Sequence, residues 1–167
     1  MNWWDYISIG LTIVSAVCTF YSIKGARDSN IYYKRSKQLT IYANTNVAYT
    51  EVKKIIDTLT KMLKLANKQK KPGRNYIKEV SENGENIKNS INKIRESLPV
   101  EDSKEINQLL NSQQLKVEKY IDSFITGSVL VNESFVIDDD FNKCHEKFCE
   151  IQFLIKEKLE NIGENLK

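Results

Sequence analysis

The few side chains suited to catalytic chemistry lie near the C-terminal end of the chain. His145 is the one histidine, and it stands between Cys144 and Cys149 in the run CHEKFC. On a single helix these side chains spread over different faces, whereas a zinc site would need a spacing such as C-x-x-C. No Walker loop, dinucleotide fingerprint or nucleophile elbow appears. We therefore expect core cysteines, a surface histidine, no metal, no cofactor and no enzymatic activity.

Three consecutive acids, Asp138 to Asp140, form a second candidate because carboxylates bind cations. The same run directly precedes an apolar helical repeat that begins at Phe141. Acids at the start of a helix cap free N–H groups and interact favourably with the helix dipole. We interpret this run as a helix cap rather than as a cation site.

Hydroxyl side chains recur in the N-terminal apolar stretch at spacings of four, three, four and three. This 3.5-residue repeat places them on one helix face together with an acid. The candidate pore-lining residues are Asp5, Ser8, Thr12, Ser15, Thr19 and Ser22. In a bundle of four or more helices this face would line a polar lumen, and rings of carboxylates favour cations. In a tight dimer or trimer, the same face would be a packing seam of small residues.

The stretch that carries these hydroxyls has the composition of a transmembrane helix. The 18 residues from Tyr6 to Ile23 carry no charge, and at about 1.5 Å each they match the bilayer core. Trp3 and Trp4 precede the stretch as interfacial aromatics, and Lys24 opens a basic region, so the positive-inside rule places the N-terminus outside. A cleaved signal peptide is the alternative, but no basic n-region or A-x-A-like site is present.

Positive charge is concentrated in the first half of the chain. Residues 1–78 contain 14 Lys and Arg against 4 Asp and Glu, whereas residues 79–167 contain 11 against 18. The densest basic run is KMLKLANKQKKPGR, whose spacing would let one helix face follow phosphates. The candidate anion- or nucleic-acid-binding residues are Lys61, Lys64, Lys68, Lys70, Lys71 and Arg74. Alternatively, each lysine simply faces solvent.

Long helices must position these residues, since Pro occurs only at Pro72 and Pro99. Apolar residues at threes and fours predict one helix from about Trp3 to about Lys70, and such a helix requires a coiled coil or docking against other helices. The predicted apolar seam is Leu39, Tyr42, Asn46, Tyr49, Val52, Ile56, Leu59, Leu63 and Ala66.

Three further helices are predicted beyond KKPGR. The first ends at Pro99, and its Gly84 either weakens the helix or lets another helix come close. The second runs from Pro99 to about Gly127, and the third follows Asp140. The β-branched run SVLVNESFVI suits a strand, but an irregular connector is preferred because no partner is evident. The predicted fold class is all-α: a transmembrane helix (1–24), a coiled-coil stalk (25–71) and an antiparallel cytoplasmic helical domain (72–167).

This order of span, stalk, KKPGR break and helical domain resembles the small membrane effectors of bacterial antiphage defence, in particular the Hailong ion-channel effectors. The resemblance covers the whole chain as an order of elements and transfers no residue roles. It implies a tetrameric channel of the bacterial inner membrane that depolarises infected cells. In that family, single-stranded DNA oligomers made by a partner nucleotidyltransferase keep the channel closed. The resemblance therefore implies an oligonucleotide site in the basic run or the helical domain.

We therefore expect an oligomeric membrane effector with a gated pore that its cytoplasmic helical domain holds closed. One alternative is a membrane-tethered coiled-coil protein that binds nucleic acid or anionic lipid and forms no pore. Another is a structural or phage-lysis accessory protein. Self-association and contact with membrane lipids are expected for the effector.

Overall fold

The computed structural model describes residues 3–66, 74–112, 115–131 and 134–166. Helices form nearly all of this part of the chain, and the all-α prediction is confirmed apart from one short β-ladder. The elements are α1 (Trp3–Ala66), α2 (Arg74–Ser97), α3 (Val100–Leu110), α4 (Val117–Thr126), β1 (Leu130–Val131), β2 (Ser134–Phe135) and α5 (Asp139–Glu164). The long first helix agrees with the prediction, which placed its end at about Lys70.

The chain divides into two compact units within α1. The first unit extends to Thr40, and the second runs from Ile41 to Asn165. In the first unit, every described side chain is exposed to solvent. The second unit contains the rest of α1 and all later elements. This division differs from the predicted stalk over residues 25–71, because residues 41–66 contribute directly to the core of the second unit.

Within the second unit, α1 buries one stripe of side chains at a mean spacing of about 3.5 residues. The stripe consists of Thr45, Ala48, Val52, Ile55, Leu59 and Met62. The predicted seam shares only Val52 and Leu59 with it, whereas Tyr42 and Leu63 are exposed. The prediction selected large apolar side chains, whereas the buried face begins with the small residues Thr45 and Ala48.

Helices α2 and α4 approach each other closely at Gly84. A Cβ atom at this position would lie 2.9 Å from Cβ of Phe124 and 3.0 Å from Cγ1 of Ile125. Nearby, the hydroxyl of Ser81 donates a hydrogen bond of 3.1 Å to the carbonyl of Ile125. Of the two roles predicted for Gly84, the geometry supports close helix packing.

The prediction of one helix from Pro99 to Gly127 was wrong, because α3 and α4 are separate. Asn111 ends α3: its backbone N–H and its side-chain amide each donate to the carbonyl of Asn107 at 3.0 Å. An isolated antiparallel bridge then joins Asn111 to Lys116. Asparagine side chains compete with helical hydrogen bonding in this way, and apolar periodicity does not register that competition.

The segment SVLVNESFVI contains its own strand partner. Strands β1 and β2 are antiparallel, with Leu130 opposite Phe135. The segment thus contains a very short antiparallel ladder. The prediction of an irregular connector was wrong. The prediction sought a partner elsewhere in the sequence and overlooked pairing within the segment.

Asp138 caps the N-terminus of α5. Its carboxylate accepts a hydrogen bond of 2.7 Å from the backbone N–H of Phe141. Asp139 and Asp140 occupy the first turn, where negative charge interacts favourably with the helix dipole. The interpretation of this acidic run as a helix cap is confirmed.

Aromatic side chains join α4, β2 and α5 in the core. The rings of Phe124 and Phe135 meet edge to face with centroids 5.6 Å apart, and those of Phe135 and Phe141 do so at 5.5 Å. Phe148, seven residues after Phe141 on α5, is also fully buried. Edge-to-face pairs add about 0.5–1.5 kcal/mol beyond the burial of apolar area, so this row fixes the ladder against the helices.

We expect Gly84→Ala to destabilise the second unit by about 1–3 kcal/mol, because the new methyl group would overlap Phe124 and Ile125. The gain in helix propensity, about 1 kcal/mol, offsets only part of this cost. Urea unfolding monitored by circular dichroism measures the change. Gly163→Ala is the matched control, since its Cβ would meet Tyr42 at an ordinary 3.7 Å. Equal stability of the two variants would contradict close packing at Gly84.

Candidate functional site

The hydroxyl face predicted from the sequence lies along the exposed N-terminal part of α1. Thr12 Oγ1 donates to the carbonyl of Ser8, and Thr19 Oγ1 donates to the carbonyl of Ser15, both at 2.8 Å. Because the hydroxyl hydrogens of Thr12 and Thr19 are bonded within the helix, these two groups need neither water nor a polar partner as an acceptor. The spare hydroxyl lone pairs still accept hydrogen bonds, so both the lumen and the packing seam stay compatible with this geometry.

Ser22 and Asp5 also belong to the predicted pore-lining set, and the structure describes the side chain of Ser22 alone. The hydroxyl of Ser22 donates to the carbonyl of Cys18 at 2.9 Å, and Ser22 is exposed like the rest of the face. The side chain of Asp5 lies outside the described part of the structure.

Large apolar side chains are exposed on the remaining faces of this part of α1. The exposed apolar residues include Leu11, Val14, Val17, Phe20 and Ile23, at 48–68% of their full area. A lone helix is marginally stable in water, and contiguous exposed apolar surface marks an interaction site. This part of α1 is therefore a candidate interaction surface. Among the described residues, no helix has both the length and the apolar character needed to cross a membrane.

The predicted basic set is divided by the structure. Lys61 and Lys64 are exposed near the end of α1. Lys68, Lys70 and Lys71 lie outside the described residues. Arg74 begins α2, and its side chain is likewise outside the description. Of the two members whose side chains the structure describes, Lys61 lines a groove and Lys64 does not line it.

That site is a groove of about 410 Å³ between α1 and α2 within the second unit. It extends along about three turns of α1 and about two turns of α2, and it is lined mainly by polar side chains. Helix α1 contributes Glu51, Lys54, Ile55, Asp57, Thr58 and Lys61, and helix α2 contributes Asn86, Asn89, Ser90 and Lys93. We call it the polar groove.

The carboxylate of Glu51 forms the buried side of the polar groove. Its side chain is only 7% exposed. One oxygen accepts a 2.6 Å hydrogen bond from Lys54 Nζ, and the other accepts a 2.8 Å hydrogen bond from Ser90 Oγ. Burial by itself raises the pKa of Glu51, but these hydrogen bonds and the charges of Lys54 and Lys93 outweigh it and leave the pKa below its ordinary value. Glu51 is therefore ionised at neutral pH and links α1 to α2.

The other lysines of the polar groove are available for a ligand. Lys61 and Lys93 form no ion pair with any residue that the structure describes. Both side chains are exposed. Sequence reasoning identified Lys61 but missed Lys93 and Ser90, because the Glu51–Ser90 contact joins residues 39 positions apart. The local signal was the Glu51–Lys54 spacing, which suits an ion pair along one helix.

The CHEKFC run on α5 places its two cysteines in different surroundings. Cys144 is fully buried, and burial together with the charge of Asp138 raises the pKa of its thiol to about 12. A thiol with so high a pKa is a poor nucleophile. Cys149 is exposed, so its assignment to the core was wrong, and its Sγ lies 3.8 Å from Nδ1 of the half-buried His145. Among the described residues, no three His, Cys, Asp or Glu side chains cluster as metal ligands would.

Comparisons of the chain with protein-family models, with curated proteins and with solved structures found no match.

We expect Glu51→Gln to lower the free energy of unfolding by about 1–3 kcal/mol at pH 7, because a buried charge-assisted hydrogen-bond set is lost. Since the folded-state pKa of Glu51 lies below its ordinary value of 4.5, its ionised form stabilises the fold above about that pH. This contribution disappears as the pH falls through the lower folded-state pKa. The difference between wild type and variant should therefore shrink below pH 4.5.

Urea titrations at several pH values measure this difference. Glu82→Gln is the matched control, since Glu82 forms an exposed pair with Lys78 on α2 and exposed pairs contribute little. A stability loss for Glu51→Gln that is independent of pH would contradict the role of the ionised carboxylate.

Proposed function

We propose that the protein is an oligomeric membrane effector in which the N-terminal part of α1 assembles with other copies into a gated pore. The helical unit from Ile41 onward lies on the cytoplasmic side and holds the pore closed. By its resemblance to the Hailong effectors, the assembly is a tetramer of the bacterial inner membrane that acts in antiphage immunity. Ion flow through the pore would then disrupt the membrane potential.

The observation that supports this proposal is the exposure of every described side chain in the N-terminal part of α1. All described side chains up to Thr40 are exposed, including large apolar ones such as Phe20 and Ile23. In the sequence, the run from Tyr6 to Ile23 has no charged residue. An apolar helix that lacks contacts within its own chain is stabilised by lipid, by other copies, or by both.

The hydroxyl face supports assembly as a bundle rather than as a lone anchor. Thr12 and Thr19 bond to the preceding turn of their own helix, which leaves oxygen lone pairs facing outward. Small hydroxyl residues allow membrane helices to approach closely, and their oxygens can accept hydrogen bonds from a neighbouring helix or from water in a lumen. Either contact requires several copies of the chain.

A second candidate is a membrane-tethered binding protein without a pore. The exposure of Lys61 and Lys64 on α1 favours it, because exposed lysines along a helix bind phosphates of nucleic acid or anionic lipid. Single-stranded DNA oligomers, made by a partner nucleotidyltransferase, are the ligand that the resemblance suggests. The same binding would serve as the regulatory input of the effector.

We expect the purified Gly84→Ala protein, whose loosened helical unit no longer holds the pore closed, to release a small dye from vesicles of bacterial lipids. In this background, Thr12→Leu combined with Thr19→Leu should reduce release to the level of protein-free vesicles. The two leucines would fill a lumen with apolar bulk and remove its hydroxyls. Fluorescence dequenching measures release, and flotation with the vesicles measures insertion.

The matched control is Val14→Leu combined with Val17→Leu, which adds apolar bulk on the faces away from the hydroxyls. In the Gly84→Ala background, this control should release dye at the same rate as Gly84→Ala alone, whereas the wild-type protein should insert and release little. Unchanged release by the threonine double variant would refute the lumen. Insertion of the Gly84→Ala protein without any release would favour the pore-free binding protein instead.

A further inference from the structure

We propose that the polar groove between α1 and α2 is a binding site for a small linear polyanion, of the kind represented by inorganic polyphosphate or the phosphate chain of a nucleotide. This site is distinct from the N-terminal part of α1, and binding to it does not depend on pore formation. The argument rests on the charge, the length and the rigidity of the groove.

The charge of the groove favours an anion with several negative groups. Its lining contains three lysines and two acids, which leaves one net positive charge. Glu51 accepts hydrogen bonds from Lys54 and Ser90, and Asp57 is the other carboxylate of the lining. Lys61 and Lys93 are exposed, unpaired among the described residues and free to donate charge-assisted hydrogen bonds. A ligand with one negative charge gains little binding free energy from these two lysines, whereas a ligand with several negative charges gains more.

The length of the groove favours a linear ligand. Lys54 and Lys61 are seven residues apart on α1, which corresponds to about 10 Å along the helix axis. Asn86 and Lys93 are separated by the same interval on α2. A chain of phosphates could reach lysines at both ends, whereas a single phosphate could contact only one end. The amides of Asn86 and Asn89 line the groove between them and can donate hydrogen bonds to intervening oxygens.

The groove is built on fixed groups rather than on mobile surface side chains alone. Glu51 holds Ser90 at 2.8 Å and Lys54 at 2.6 Å, and this contact lies at the packed interface of the two helices. A site whose floor is already ordered loses less conformational entropy when it binds a ligand. This distinguishes the groove from Lys64, which is exposed on the same helix but is not part of the groove lining.

Isothermal titration calorimetry of the full chain in detergent at low salt tests the proposal, with tripolyphosphate, ADP, orthophosphate and citrate as separate probes. Tripolyphosphate should bind with one site per chain and at least about tenfold more tightly than orthophosphate. It should also raise the melting temperature, since a ligand that binds only the folded state stabilises it. Tighter binding of ADP than of tripolyphosphate would identify a nucleotide as the source of the phosphate chain.

Single-residue variants locate the binding. Lys61→Gln and Lys93→Gln should each weaken tripolyphosphate binding by at least about fivefold. Lys64→Gln is the matched control and should leave it unchanged. All three lysines are exposed, so these variants should fold normally. Equal affinities for tripolyphosphate and orthophosphate, or equal losses in the Lys64 and Lys61 variants, would overturn the proposal.

A single-stranded oligonucleotide probe separates this site from the basic run of the proposed function. Oligonucleotide binding that Lys64→Gln weakens as much as Lys61→Gln belongs to the basic run and counts against a dedicated groove. Vesicle leakage is measured independently of these titrations. The groove proposal can therefore fail while the pore proposal stands, and the reverse is equally distinguishable.

Discussion

The structure depends on one constraint: helix α1 is uninterrupted from Trp3 to Ala66 but has two different surroundings. After Ile41 it buries a regular stripe of side chains in the core of the second unit. Before that point, none of its described side chains is buried. Helix propagation itself costs little once a helix is nucleated, but stability comes from the burial of an apolar face. In the proposed assembly, the N-terminal part obtains that burial from lipid and from other copies of the chain.

Glu51 is a charged residue within the buried surface of α1. Breaking a buried charge from its partners is costly, and such groups specify one arrangement of helices more than they add stability. In this chain the carboxylate joins α1 to α2 through Ser90 and positions Lys54. The same contact shapes the polar groove, so one interaction fixes the helix pairing and prepares a charged site beside it.

The sequence predicted the elements that follow from local chemistry. The length of α1 followed from the lack of Pro and Gly between Ala26 and Lys71, and the cap at Asp138 from an acid at a helix start. The close approach of another helix followed from Gly84. The buried stripe of α1 was predicted poorly, because periodicity favours large apolar residues and cannot reveal that small Thr45 and Ala48 face the core.

Contacts between distant positions could not be predicted from one sequence. Ser90 and Lys93 looked like ordinary surface positions of an amphipathic helix, and only the packing of α2 on α1 brings them to Glu51. The predicted basic residues Lys61 and Lys64 have different surroundings for the same reason. Lys61 points into a groove, whereas Lys64, one turn later, does not line it. Spacing along one helix defines a face, but the neighbouring helix decides which part of that face becomes a site.

Amide hydrogen exchange along α1 tests most directly whether its N-terminal part depends on partners outside the chain. In dilute protein without lipid, amides from Ile41 to Ala66 should exchange slowly and those from Trp3 to Thr40 rapidly, since few contacts mean low local stability. Adding vesicles of bacterial lipids should slow exchange in the N-terminal part by orders of magnitude and leave the rest of α1 nearly unchanged. Equally slow exchange in both parts of α1 in dilute, lipid-free protein would contradict this account.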